Sequence, residues 1–238
     1  MPRSSTPTGT RSTCSHRLAE LRVGTSGWSY PSWRPGFYPA DTRPEEFLRF
    51  YASRFDTVEL NTTGYRLPAE EQFDRWAEQA PAGFEFAPKL PPRGLRDVAT
   101  VEQRVRRLGE RLGPIRVVVQ SARDDGLLEL FLGSIDPGLR YAFDLRHPSW
   151  DGVEERLFAA GATRVDARDA GAPFLYLRFR DPPYDDQALE AAAVEIRALL
   201  LAGTDVYCYF RHEDAPTAPA YAARLRELVV GTAPSVPS

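Results

Sequence analysis

Lysine and asparagine are almost absent from this sequence. Of 30 basic residues in 238 only Lys89 is a lysine, and Asn61 is the single asparagine. The chain has drifted towards Arg and Ala, a bias of base composition rather than of physics. Against that drift a surviving lysine marks a place where a guanidinium cannot stand in for an amine, because Lys alone shifts its pKa readily and forms Schiff bases. Cysteine is scarce too, with Cys14 and Cys208 alone. That excludes a disulfide framework or a cysteine-built zinc site and points to a reducing, cytoplasmic setting. Three histidines, one of them His16 near the start, cannot build a multinuclear zinc centre. No apolar run approaches the roughly 18 residues that span a bilayer, so no membrane partner is expected.

What is present is ordinary for a globular protein: 42% hydrophobic and 26% charged residues with a net charge of -3. A sizeable core is affordable, and slight acidity argues against coating nucleic acid by bulk charge. Residues 1–20 are rich in Ser, Thr and Pro without a hydrophobic stretch, and read as a disordered tail. Residues 231–238 read as a second tail, leaving 21–230 as one domain.

Within that domain short apolar strands alternate with helix-period segments. Strands are expected at 21–28, 57–63, 84–90, 115–120, 140–146, 163–167, 174–180 and 205–211. Helices are expected at 44–54, 69–79, 98–112, 125–132, 153–160, 185–201 and 219–230. Strands alternating with helices imply right-handed crossovers and parallel pairing. Eight such units in about 210 residues favour a single TIM-like (β/α)8 barrel, near the lower size limit of that α/β class. An open doubly wound sheet is the alternative, but the turn after the first strand, GTSGWSY (Gly24–Tyr30), does not match a dinucleotide fingerprint.

In such barrels chemistry sits at the carboxyl ends of the strands. The polar residues there include Ser26 and Trp28, then Glu59 and Asn61, Lys89, Gln120, and Asp144 with Arg146 and His147. Asp166 and Arg168, Arg178 and Arg180, and Arg211 with His212 complete the set. Glu59 shares strand parity with Asn61, and Asp144 with Arg146, so each pair faces one side. Charged residues of matching parity in apolar strands must pair or face a solvated mouth. Lys89, Glu59 and Asp144 are the candidate catalytic groups. Asn61, Arg146, His147, Arg178, Trp28 and Tyr65 are candidate substrate contacts, with Arg forks reading carboxylate or phosphate. Lys89 is expected within roughly 4 Å of Glu59 or Asp144 as an ion pair. Glu59, Asp144 and Asp166 have the chemistry for one hard cation, but no motif supports it. No metal and no cofactor is assigned. Neither cysteine has a catalytic signature and no G-x-S-x-G elbow occurs, so serine or cysteine hydrolase chemistry is disfavoured.

Several segments in order along the chain carry a family likeness: GTSGWSYPSWRPGFYP (Gly24–Pro39), VELNTTGYRLP (Val58–Pro68), FEFAPKLP (Phe84–Pro91), DLRHPSW (Asp144–Trp150), YLR (Tyr176–Arg178) and YCYF (Tyr207–Phe210). Through them the sequence resembles the YecE-like family, domain of unknown function 72, from Val23 to Leu228. The resemblance implies a TIM-like barrel and supplies no reaction. The chain departs from the family pattern where Asp144 replaces a usual Glu, where Phe179-Arg180 replaces His-Gly, and where Ser121-Ala122-Arg123 replaces Leu-Pro-Pro. A Thr-His pair usual after the third-strand lysine is also missing. The chain reads as a divergent, shortened member.

Three readings follow. The first is an enzyme acting on a small phosphorylated or carboxylated molecule through Lys89 and a carboxylate. The second is a nucleic-acid-binding or phosphodiester-processing barrel, with arginines on phosphates and aromatics on bases. The third is a non-catalytic interaction scaffold.

Overall fold

The computed structural model describes residues 19–91 and 97–231. Most of the two tails expected at 1–20 and 231–238 lies outside the described residues. Eight strands appear among them: β1 (Leu21–Ser26), β2 (Thr57–Leu60), β3 (Glu85–Pro88), β4 (Ile115–Val119), β5 (Tyr141–Leu145), β6 (Thr163–Arg164), β7 (Leu175–Phe179) and β8 (Val206–Phe210). The α-helices between and after them are α1 (Phe47–Ala52), α2 (Glu70–Gln79), α3 (Val98–Val105), α4 (Asp125–Leu132), α5 (Glu154–Ala159), α6 (Asp186–Leu201) and α7 (Thr217–Val230). Side-chain carboxylates start three of the helices. Asp97 accepts the Thr100 N–H at 3.2 Å, Asp124 the Leu127 N–H at 3.0 Å and Asp185 the Ala188 N–H at 2.8 Å.

All strand pairs are parallel, as the strand–helix alternation requires. The ladder is not the single closed ring expected from the sequence. It divides into a five-stranded sheet, ordered β3-β2-β1-β8-β7, and a three-stranded sheet, β4-β5-β6. Only scattered bonds cross between them. At one seam Lys89 bridges Arg116, and the Leu90 N–H donates to the Arg116 carbonyl at 2.8 Å. At the other the Asp166 N–H donates to the Tyr176 carbonyl at 2.9 Å. The second seam is thin because β6 has two residues instead of the expected five. Asp166 turns into the left-handed region at φ 65° and ends it.

Alternation along the strands sorts side chains into two layers. In β8, Val206, Cys208 and Phe210 join the large core under the helices, while Tyr207 and Tyr209 join a smaller cluster with Ala87, Ala142, Val165, Phe174 and Tyr176. That inner layer is narrow and polar-tipped. Tyr209 and Thr57 share a hydroxyl hydrogen bond of 2.8 Å, and the Tyr207 hydroxyl donates to Glu85 at 2.8 Å. The β1–β2 pair also closes over α1. The Tyr51 hydroxyl accepts the Thr25 N–H at 2.8 Å and donates to the Thr57 carbonyl at 3.1 Å. Gly24 makes this approach possible, since a Cβ there would lie 2.0 Å from the Thr57 oxygen.

Other elements end earlier than their apolar pattern suggests. The segment 98–112 is helical only to Val105 and continues as a 3₁₀ stretch at Arg106–Arg111, interrupted at Gly109, φ 57°. Strand β2 stops at Leu60 because Asn61 adopts a right-handed helical conformation and opens a 3₁₀ turn at Thr62–Gly64. Among the described residues no helix is long and apolar enough to cross a membrane.

Candidate functional site

Glu59 follows Thr57 on the inner face of β2 and is fully buried. An isolated carboxylate there would be prohibitively costly, so its oxygens must be saturated. One oxygen accepts from Arg116 Nη1 at 2.8 Å, the Ser26 hydroxyl at 2.9 Å and Arg178 Nη2 at 3.0 Å. The other accepts the Tyr176 hydroxyl at 2.7 Å. Burial pushes the Glu59 pKa up. Arg178 and Arg116, with the Tyr176 and Ser26 hydrogen bonds, outweigh it and hold the carboxyl at about 2.

Asp144, on β5, meets the same guanidinium from the other side. Arg116 Nε and Nη2 donate to its Oδ2 at 3.2 and 2.7 Å, and Arg146 Nη2 reaches that oxygen at 3.0 Å. Arg180 Nη2 lies 3.3 Å from Oδ1. Burial again opposes ionisation, and Arg146, Arg116 and Arg180 overcome it to leave Asp144 at about 2. Arg116 therefore joins the two carboxylates into one network, and it is only 2% exposed. Its guanidinium is held charged: burial disfavours that state, and the two carboxylates and Tyr176 more than restore it. Arg116 is not among the strand-end candidates, because it is the second residue of β4. A single charge inside the apolar run IRVVV was the available signal.

Lys89 stands apart. The expected ion pair with Glu59 or Asp144 is not formed; among the described residues the amine has no carboxylate within salt-bridge distance, since Arg116 occupies both partners. Its Nζ instead lies 5.5 Å from the centre of the Tyr65 ring. The backbone is pinned by Thr63, whose hydroxyl accepts the Lys89 N–H at 2.9 Å and donates to the Lys89 carbonyl at 2.8 Å. The aliphatic stem runs over Gly64, where a Cβ would sit 2.3 Å from Lys89 Cδ. Partial burial, then the positive charges of Arg116, Arg178 and Arg146, pull the Lys89 pKa below its usual value, with Glu59 opposing.

The remaining candidates divide. Arg178 joins the network through Glu59 and Ser26, its Nη2 donating to the Ser26 hydroxyl at 2.9 Å, and Arg146 joins through Asp144. Asn61 is near it: its amide donates to the Ser26 carbonyl at 3.2 Å, alongside the Tyr30 hydroxyl at 2.9 Å. Tyr65 is beside Lys89 and 86% exposed. His147 is exposed and bonds locally instead, its Nδ1 accepting the Ser149 N–H at 3.2 Å as the cap of a 3₁₀ turn. Trp28 packs edge-on against Trp76 and Phe86, with ring centres 5.7 and 6.3 Å away, between α2 and the sheet. Glu59 and Asp144 spend their oxygens on guanidinium and hydroxyl groups, and among the described residues no three His, Cys, Asp or Glu side chains gather as a metal-ligand set.

The family model for proteins of unknown function DUF72 matches residues 22–237. The UPF0759 protein YecE of Escherichia coli K12 is 32% identical over 156 residues, 59% of this chain and 54% of YecE. The matched part thus spans about half the length of that curated relative. A DUF72 family protein of Thermotoga maritima MSB8 superimposes with a TM-score of 0.78 at 22% identity, covering 89% of this chain and 99% of that one. Another, from Enterococcus faecalis V583, gives 0.75 at 16% identity, covering 89% and 96%. These two likenesses concern the fold.

Proposed function

Since the chain belongs to the DUF72 family, a group described only as proteins of unknown function, we propose its function from the site itself: an enzyme that uses the Lys89 amine on a small anionic carbonyl compound. The observation that carries this reading is the separation of roles among the charged groups. Glu59 and Asp144 are ionised, saturated and committed to Arg116, so they position rather than exchange protons. Among the described residues of this cluster Lys89 is the cation left without a carboxylate, and its pKa is lowered by partial burial and by the same arginines. A lysine desolvated beside another cation is an activated amine.

The reaction such an amine performs is imine formation. The Nζ lone pair of the neutral amine attacks the carbonyl carbon, and the carbonyl oxygen leaves as water after taking one proton from the amine and one from solvent, so the product is the protonated imine. The surrounding arginines supply both the field that frees the amine and the attraction for an anionic substrate. We read the two sheets as one (β/α)8 barrel over residues 21–230. The seam bonds at Lys89–Arg116 and Asp166–Tyr176 support that closure.

Borohydride tests the reading directly. Incubation with small keto acids and phosphorylated aldehydes, followed by reduction, is expected to add mass at Lys89, the one lysine. No adduct at Lys89 with any of them, while the N-terminal amine is modified, would overturn it.

A further inference from the structure

We propose that the cavity between α4 and the β4–β5 pair is a binding site for an uncharged aromatic molecule, separate from the Lys89 cluster and independent of its reading. Side chains alternate along the strands. Asp144 points inward to Arg116, so its neighbours Phe143 and Leu145 face outward under α4, as does Val119 of β4. These three form one wall of a cavity of about 400 Å³, and Leu128 and Phe131 of α4 form the other. Leu128, Phe131, Phe143 and Leu145 are buried, yet the protein's own side chains do not fill the space between them. Interiors normally pack to crystal density, and an apolar cavity of roughly 150 Å³ already admits benzene.

The cavity is reachable. Among the described residues α4 is the only α-helix that no strand or other helix approaches closely at several points, so it stands off the sheet. Leu127 and Leu130, which line the cavity from α4, are 63% and 71% exposed and give it an apolar rim facing solvent. The chemistry of the lining chooses the ligand. Its polar residues are already bonded within the protein. Asp124 accepts the Leu127 N–H at 3.0 Å, the Ser134 hydroxyl donates to the Phe131 carbonyl at 2.8 Å, and the Ser121 carbonyl accepts the Trp150 indole N–H at 3.0 Å. Asp124 is the one charged residue of the lining, and its carboxylate repels an anion. A charge of either sign set among the leucines and phenylalanines would be costly. Phe131 and Phe143, edge-on with ring centres 5.5 Å apart, and Trp150 beside them present ring surfaces against which a further aromatic ring packs.

Fluorescence titration with N-phenylnaphthylamine tests the site, with anilinonaphthalene sulfonate, the same ring skeleton carrying a charge, as its counterpart. Saturable binding of one neutral probe per chain is expected, with the sulfonate at least about tenfold weaker. Val119→Phe sets a ring inside the cavity, and Leu130→Asp sets a charge on its exposed rim. Each is expected to weaken the neutral probe by about tenfold or more. Melting curves of both variants establish that they fold, and Leu130→Asp, at the surface, should melt within a few degrees of the unmodified protein. No saturable binding by the unmodified protein, sulfonate binding as tightly, or unchanged affinity in the folded variants would overturn the site. Sedimentation showing a dimer that Leu130→Asp dissociates would overturn it too, because the apolar rim would then belong to contact with a second copy of the chain.

Discussion

Arg116 is where the energetics of this molecule concentrate. One guanidinium answers two buried carboxylates, so removing it strands both. Arg116→Leu is expected to destabilise the fold by about 3–5 kcal/mol, measured by urea unfolding, because charges are left buried without a partner. Glu59→Gln should cost less, since Arg116 keeps Asp144 and Arg178 keeps Ser26. The same network fixes a pH dependence. Glu59 and Asp144 have folded pKa values near 2, below their ordinary values of 4.5 and 3.8. A depressed carboxyl pKa stabilises the fold above the unfolded value, and that contribution is lost as pH falls through the folded one. Unfolding free energy from these two groups should therefore be level above about pH 5 and fall steeply from about pH 4.5 to pH 2. A curve flat across that window would show that the carboxylates are not held as described.

At the scale of elements, the turn after β2 decides where the amine stands. Thr63 pins the Lys89 backbone and Gly64 gives its stem room to pass. A methyl group at Gly64 would collide with Lys89 Cδ, Cε and Cγ rather than with backbone. The side chain can move aside, so the fold should tolerate the change. Gly64→Ala is expected to melt within a few degrees of the unmodified protein yet trap carbonyl compounds at Lys89 at least about tenfold more slowly, since small displacements of a reacting group are expensive. Equal trapping rates would mean that the turn does not position the amine.

For the molecule as a whole, the two seams are the weak lines of the ladder. Amides inside β8, bonded on both sides by β1 and β7, should exchange with solvent at the rate of global unfolding. Those of Leu90 and Asp166, whose bonds cross the seams, should exchange at least about tenfold faster by local opening. Uniform protection would mean a ring as continuous as the one expected from the sequence. Much of the architecture was legible there, because strand and helix periods differ, and the bounds of α4 and α6 match the expectation to within a residue. The short β6 was not legible, since nothing local says that Asp166 will adopt a positive φ. Lys89, Glu59, Asp144, Arg146 and Arg178 were legible as rare or charged residues at strand ends. The role of Arg116 was not, because it depends on carboxylates 57 and 28 positions away in the chain. Trp28 and His147 show the converse: an aromatic ring and an imidazole near a mouth were satisfied by packing and by a turn.

If the network of arginines and buried carboxylates leaves Lys89 as a free, activated amine, its titration must show it. With a single lysine, labelling it by ¹³C reductive methylation yields one side-chain signal whose shift can be followed against pH. The midpoint is expected below the ordinary lysine value of 10.5, and it should rise in Arg146→Gln, which removes one of the cations that depress it. A midpoint at or above 10.5, unmoved by that substitution, would contradict the account.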